Sequence, residues 1–289
     1  MTQSPISPTL AIIGGSGLYA IPSLIDVTET NISTPFGNPS DAVITGMLNG
    51  KRIAFLPRHG RGHRLNPSEV PYRANIWALK SLGVKHIVSI SACGSLRLEM
   101  KPRDIVVPDQ LFDFTKGKRA PSFFDDGIVG HVGVAEPFSR SLSAAVVQAV
   151  EQAGGTVHGG GTLITIEGPR FSTKAESRAF RAWGCDVIGM TACPEAFLAR
   201  EAEIDFAIMA HVTDYDVWHE EEKPVTVAIV VERLHANLSI AQQAIANILP
   251  IVETLPHESA GASKHAVMSG KNVIDAAAQE RVKILTIDH

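Results

Sequence analysis

Five short segments of this 289-residue chain combine residue types that could do chemistry. Gly14-Gly15-Ser16-Gly17 is a backbone-rich loop whose N–H groups can cradle an oxyanion, with the Ser16 hydroxyl beside them. Arg58-His59-Gly60-Arg61-Gly62-His63 gathers two arginines and two histidines in six residues. An arginine fork can hold a phosphate through two parallel hydrogen bonds. Ser91-Ala92-Cys93-Gly94-Ser95 offers hydroxyls on flexible backbone, and Gly189-Met190-Thr191 adds another hydroxyl. Thr213-Asp214-Tyr215-Asp216 sets two carboxylates two residues apart, suited to acid–base work or to accepting bonds from an amino group. Taken singly, each motif has a plain structural alternative: a tight turn, a solvated basic turn, a packed small thiol at Cys93, an Asx-rich turn. Taken together they describe an anion site beside a carboxylate site, that is, phosphate as a substrate next to a group that needs a proton.

Other chemistries fit less well. Gly15 to Ala20 matches the dinucleotide pattern G-x-G-x-x-A, but residues 31–40 (NISTPFGNPS) contain no acid to meet a ribose. A dinucleotide-dependent oxidoreductase therefore rests on that loop alone. His59 and His63 are four apart, yet Gly60 and Gly62 oppose a helix there and no H-E-x-x-H occurs. Cys93 as a nucleophile lacks an evident base. Glu220-Glu221-Glu222 reads as a solvated stretch. A non-catalytic nucleoside- or anion-binding module is the remaining alternative.

The elements that must position these groups follow from the apolar pattern. Short apolar runs at 9–13, 52–57, 85–91, 104–108, 163–166, 186–188 and 206–210 read as strands. Helices are expected over 71–82, 139–152, 173–183, 195–203 and 225–249, with a last one from about 269 to 285. Thr173 followed three residues later by Glu176 is a capping-box pattern. Buried strands alternating with helices predict a single α/β domain over 1–289, with a central mixed sheet flanked by helices. Ser16, Arg58-His59, Ser91, Thr191 and Asp214 all fall just after an apolar run, where open α/β sheets bind ligands.

Composition narrows the classes. Against 26 Lys+Arg stand 30 Asp+Glu, a net charge of −4, with 45% hydrophobic residues. That is a globular balance, and it is not the basic surface of a general nucleic-acid binder. The three cysteines have no C-x-x-C spacing and read as buried thiols of a cytoplasmic protein. No signal-like N-terminus and no membrane-length apolar run is expected.

The motifs resemble a known family. IIGGSGLY (12–19), TPFGNPSDA (34–42), LPRHGRGH (56–63), YRANIWALK (72–80), SACGSLR (91–97), RDIVVPDQ (103–110), AEPF (135–138), TIEGPRFST (165–173), GMTACPE (189–195) and VTDYDVW (212–218) are similar, in order, to the 5′-methylthioadenosine phosphorylases of the purine nucleoside phosphorylase family. The resemblance implies a purine nucleoside phosphorylase-like fold and phosphorolysis of S-methyl-5′-thioadenosine to adenine and 5-methylthioribose 1-phosphate. It implies a homotrimer, with a dimer of trimers left open, and no cofactor or metal beyond phosphate as co-substrate. Phosphate would meet Ser16, Arg58, His59, Ser91, Ala92 and Thr191. The family more often has Thr at the positions of Ser16 and Ser91; the hydroxyl is retained. Met190 would lie under the ribose, Phe171 and Ser172 near the base, and Asp214 and Asp216 at the purine edge, with Asp214 the proton donor. His131, Val227 and, more loosely aligned, Leu285 would shape the 5′ pocket, which the C-terminal helix closes. An Asp at 214 accepts from the 6-amino group of adenine, whereas 6-oxopurine enzymes use an Asn there. Methylthioinosine or a general 6-oxopurine nucleoside is the alternative substrate.

Overall fold

The computed structural model describes residues 7–15, 18, 21–219, 226–270 and 272–285. Its strands are β1 (Leu10–Gly14), β2 (Ile25–Thr30), β3 (Val43–Leu48), β4 (Lys51–Pro57), β5 (His86–Ser95), β6 (Ile105–Val107), β7 (Gln110–Phe114), β8 (Val157–Gly159), β9 (Thr162–Ile166), β10 (Val187–Gly189) and β11 (Asp205–Asp214). The helices are α1 (Tyr72–Ser81), α2 (Arg140–Gln152), α3 (Lys174–Ala182), α4 (Ala192–Glu201), α5 (Val227–Ala236), α6 (Leu238–Val252) and α7 (Ala276–Val282).

Successive side chains of a strand point to opposite faces, so a fully apolar strand must feed two cores. That is what β1 and β11 do. Ala11, Ile13, Phe206, Ile208, Ala210 and Val212 enter one core, with Ile76 and Leu79 of α1 and Ala196 and Ala199 of α4. Leu10, Ile12, Ala207 and Met209 enter the other, with α2 and α6. The result is a single α/β domain in which helices flank a mixed sheet of order β2-β3-β4-β1-β5-β10-β9-β7, with β11 joined to β5 and β6. At one edge, β2 is exposed at every position.

Several elements differ from the sequence expectation. The helix expected over 225–249 is two helices, α5 and α6, separated at Asn237, whose amide donates to Arg103 O (2.8 Å). The last helix is confined to Ala276–Val282 and starts at an Asp275 cap, shorter than 269–285. The strand expected to end at Ser91 continues to Ser95. Strands β2, β3, β7 and β8 lie outside the expected strand segments, although β3 (VITGML) is largely apolar and buried. The Thr173/Glu176 capping box forms as its pattern predicts. Among the described residues no helix is long and apolar enough to cross a membrane.

Candidate active site

The centre of the site is a change of partner along β5. Its first half pairs in parallel with β1, ending at the Ile13–Ser89 pair. Its last two residues, Gly94 and Ser95, pair antiparallel with Ile188 and Val187 of β10 on the same side. The opposite side stays paired with β11 through Cys93 and, past a bulge, at Gly94. Among the described residues, 90–93 therefore face no strand on the β1–β10 side. Ile90 O points into this gap and accepts from Arg58 Nη1 (3.2 Å). The peptide groups of Ala92, two residues further, project to the same side. Ser91 and Ala92 thus lie within β5 at an open seam, not beyond a strand end, and their placement comes from the loss of a neighbour.

The end of β1 borders this seam: a Cβ on Gly14 would lie 3.3 Å from Ile90 O. Ser16 lies outside the described residues. Arg58, just past β4, is 2% exposed, and its guanidinium is held from every side. Nε and Nη2 make a fork to Glu195 Oε1 and Oε2 at 2.8 and 3.0 Å, and Nη2 also meets Ile13 O and the Ser89 hydroxyl. Glu195 Oε2 accepts from Ser89 Oγ in turn (2.8 Å). Buried charges need such pairing. Glu195, fully buried on α4, has no mark in the sequence; it sits in an apolar helix start and looks like an ordinary first-turn acid. Nη1 carries two hydrogens and meets one acceptor, Ile90 O, among the described residues.

His59 follows on the rim. Nδ1 donates to Leu65 O (2.9 Å), and the ring stacks on His63 with centroids 4.2 Å apart. Burial, then the Arg58 charge, pushes its pKa down to about 4. A neutral ring with its proton on Nδ1 leaves Nε2 as an acceptor. Thr191 precedes α4 and makes no side-chain cap bond, so its hydroxyl is uncommitted among the described residues. The Ser91 hydroxyl likewise has no hydrogen bond there. Met190 packs on Gly168: a Cβ at that glycine would lie 2.6 Å from Met190 Sδ, and its φ of +64° favours glycine anyway.

The two carboxylates lie at the far end of β5. A Cβ on Gly94 would lie 3.0 Å from Asp214 Oδ1 and 3.3 Å from Asp216 Cβ, so glycine lets both acids lie over the strand. From Ser91 to Gly94 is three residues, on the order of 10 Å. Asp214 is 7% exposed. Burial pushes its carboxyl above the usual range and Asp216 adds to this; the Thr213 hydroxyl, the Asp216 N–H and Arg233 oppose it. Thr213 Oγ1 lies 2.7 Å from Asp214 Oδ2 and 3.2 Å from Cys93 O. A hydroxyl has one proton and serves one of these at a time. With Asp214 ionised, Thr213 donates to Oδ2; with Asp214 protonated there, Thr213 accepts from it and donates to Cys93 O. Either protonation state is accommodated without rearrangement, as a proton-exchanging group requires.

Asp216 Oδ2, Ser172 Oγ and Ser177 Oγ are buried and have no hydrogen-bond partner among the described residues. Burial raises the Asp216 carboxyl, and the nearby Ser177 and Ser172 hydroxyls oppose the rise although neither reaches bonding geometry. Phe171, beside Ser172, is part-exposed. A cavity of about 150 Å³ opens next to this loop, lined by Glu167, Gly168, Arg170, Lys116 and Lys118. The structure thus brings Arg58, Asp214 and Asp216 onto β5 with Ser91 and Ala92, and sets Ser172 near Asp216; His59 follows Arg58 in the chain, and Met190 and Thr191 follow β10, which pairs with the end of β5. His131 and Val227 are exposed on the surface. Leu285 does not face a pocket: at 1% exposure it is enclosed in the core with Ala278 and Val282. Its apolar side chain is more stable in that core than against solvent.

Comparison with known proteins sets this mixed sheet, with its open seam along β5 and its carboxylate end, among the nucleoside-cleaving transferases. The sequence model of the phosphorylase superfamily matches residues 9–253. The S-methyl-5′-thioadenosine phosphorylase of Chloroflexus aurantiacus is 52% identical over 277 residues, covering 96% of each chain. That of Geobacter sulfurreducens is 47% identical, covering 96% of this chain and 97% of its own. A crystal structure of methylthioadenosine phosphorylase from an antarctic soil metagenomic library superposes with a TM-score of 0.92 at 45% identity, covering 96% of this chain and 99% of that one. The Schistosoma mansoni methylthioadenosine phosphorylase, solved with adenine, gives 0.84 at 36%, covering 92% and 99%. The chain belongs to the phosphorylase superfamily, and within it to the S-methyl-5′-thioadenosine phosphorylase family.

Proposed function

We propose that this protein catalyses phosphorolysis of S-methyl-5′-thioadenosine, giving adenine and 5-methylthioribose 1-phosphate. The layout of β5 supports the reading: Arg58 Nη1 reaches Ile90 O at a seam that no described strand covers, and the buried Asp214, whose carboxyl burial raises, pairs with β5 at Gly94, three residues past Ser91. The names of the relatives support the same substrate.

The residues divide the work as follows. Phosphate sits in the seam, where the Ala92 N–H, the spare Arg58 Nη1 hydrogen and the Ser91 and Thr191 hydroxyls donate to its oxygens, with Ser16 completing the cradle. The hydrogen phosphate dianion carries one O–H, and His59 Nε2 is the acceptor for it. Met190 supports the ribose, Phe171 stacks near the base, and Ser172 and Asp216 bond the purine edge. As the C1′–N9 bond breaks, positive charge grows on C1′ beside the dianion, and a phosphate oxygen bonds to C1′. The electron pair of the broken bond goes to the purine, and Asp214 protonates it at N7. Phosphate and Asp214 supply the nucleophile and the proton, so the reaction calls for no metal or organic cofactor. A carboxylate at the base edge accepts from the 6-amino group of adenine. Asp214 in its protonated form would also donate to a 6-oxo group, which keeps methylthioinosine as the second reading.

The 5′-methylthio group needs an apolar wall. His131 from a neighbouring subunit and Val227 form it in a cytoplasmic homotrimer, with the C-terminal helix closing over it. Exposed apolar residues at Val129, Val134 and Met268, on or near the His131 loop, fit such a subunit contact.

Base release from methylthioadenosine, methylthioinosine, adenosine and inosine, with and without phosphate, tests the reading. Fastest release from methylthioadenosine, strictly phosphate-dependent, is expected. Inosine as best substrate would overturn the specificity, and no release from any of the four would overturn the enzyme assignment.

A further inference from the structure

Arg119 is a buried cation that no step above uses. It lies in the irregular segment after β7, and its fork spans three parts of the chain. Nε donates to Glu167 Oε1 (3.1 Å) and Nη2 to Glu167 O (2.7 Å). Nη1 donates to Met190 O (2.7 Å) and to Cys193 O (2.6 Å). Those two carbonyls take both Nη1 hydrogens, leaving the Tyr72 hydroxyl at 3.3 Å as a neighbour. Glu167 is itself fixed by the Ser68 hydroxyl and by the Lys116 N–H (2.6 Å).

The carbonyls held by Nη1 bracket Thr191. Beyond Cys193 the chain is anchored by Glu195 to Arg58, and Arg119 holds the carbonyls on either side of Thr191. Thr191 makes no cap bond, and Cys193 leaves the helical region (φ −101°, ψ 133°), so the first turn of α4 is not held by its own ladder. We propose that Arg119 is a positioning residue for the phosphate subsite, setting the 190–193 turn so that the Thr191 hydroxyl stands at the β5 seam while Glu167 fixes the guanidinium. This rests on the phosphate role assigned to that seam. Glu167 neutralises the cation locally, so the contribution is geometric: a fork that reaches Met190, Cys193 and Glu167 at once, which a point-like ammonium cannot do.

Arg119→Lys separates geometry from charge. Its test is the Kd of inorganic phosphate, from the phosphate-dependent rise in Tm, together with KM for phosphate and for methylthioadenosine. The phosphate Kd and KM are expected to rise about tenfold; Met190, placed under the ribose, shares the turn, so the nucleoside KM is expected to rise too, by about threefold or less. A merely structural Arg119 would lower Tm and the active fraction and leave both KM values unchanged. Should Arg119→Lys fail to fold, the paired Arg119→Gln/Glu167→Gln variant removes the fork without leaving a buried charge. A phosphate Kd within about twofold of wild type in the folded variant would overturn the proposal. The Tm measurement needs no turnover, so this outcome is distinct from failure of the phosphorolysis reading, which the wild-type base-release assay decides.

Discussion

The two ends of β5 are built on opposite plans. At the seam, the buried groups are already matched: Arg58 with Glu195, Ser89 with both, the guanidinium with Ile13 O and Ile90 O. At the carboxylate end, Asp216 Oδ2, Ser172 Oγ and Ser177 Oγ are buried with no partner among the described residues. A buried polar atom without a partner costs about 1–3 kcal/mol, so folding tolerates it where something else is gained. The comparison teaches that an inorganic anion is met by a frame assembled during folding, with a few free donors on its edge. A flat heterocycle that brings its own donors and acceptors is met by groups left waiting.

Three variants would break or sharpen that contrast. The largest effect is expected at the matched end. Glu195→Ala strands a buried guanidinium, which should cost about 3–5 kcal/mol in unfolding free energy measured by urea titration. A loss of under about 1 kcal/mol would show that the frame is not built on this pair. Next is Asp214→Asn, which removes the proton donor and should lower kcat by about 100-fold or more. The wild-type kcat should be present at low pH and fall as pH rises through the raised Asp214 pKa, because the donor must be protonated; the Asn variant should lack that limb. Near-normal turnover would remove Asp214 from the mechanism. The smallest effect is expected for Ser172→Ala. An unpartnered hydroxyl contributes no bond to the folded protein, so Tm should hold or rise slightly while the nucleoside KM increases about fivefold. A clear drop in Tm would mean that this end is matched internally like the other.

Much of the site was legible before the fold. Strands ending at Gly14 and Pro57, the arginine and histidine beyond the second, and the Thr213–Asp216 motif at the end of β11 are local patterns, and they lie where apolar runs stop. The seam was less legible. Residues 85–91 show an apolar run, but the strand continues through Ser91, Ala92 and Gly94, whose small polar character suggests a loop. Those residues remain extended because β11 pairs with them, a fact set by a segment more than a hundred residues away. Likewise the long helix expected over 225–249 has the right periodicity, and its interruption at Asn237 coincides with an anchor to Arg103 O.

The sequence by itself determined which chemical groups this protein carries, the strands and helices that hold most of them, and its family. Those properties reside in residue type and short spacing, which local sterics and burial translate directly. Only the tertiary structure decided how the charges are spent. Glu195 meets Arg58 across 137 positions, and Arg119 meets Met190 across 71. Nothing in the spacing of either pair announces it. An ion pair forms where the sheet order brings two segments together, and low dielectric then makes a match mandatory. The same sheet order, by giving β5 one neighbour for its first half and another for its last residues, opened the gap in which a phosphate fits.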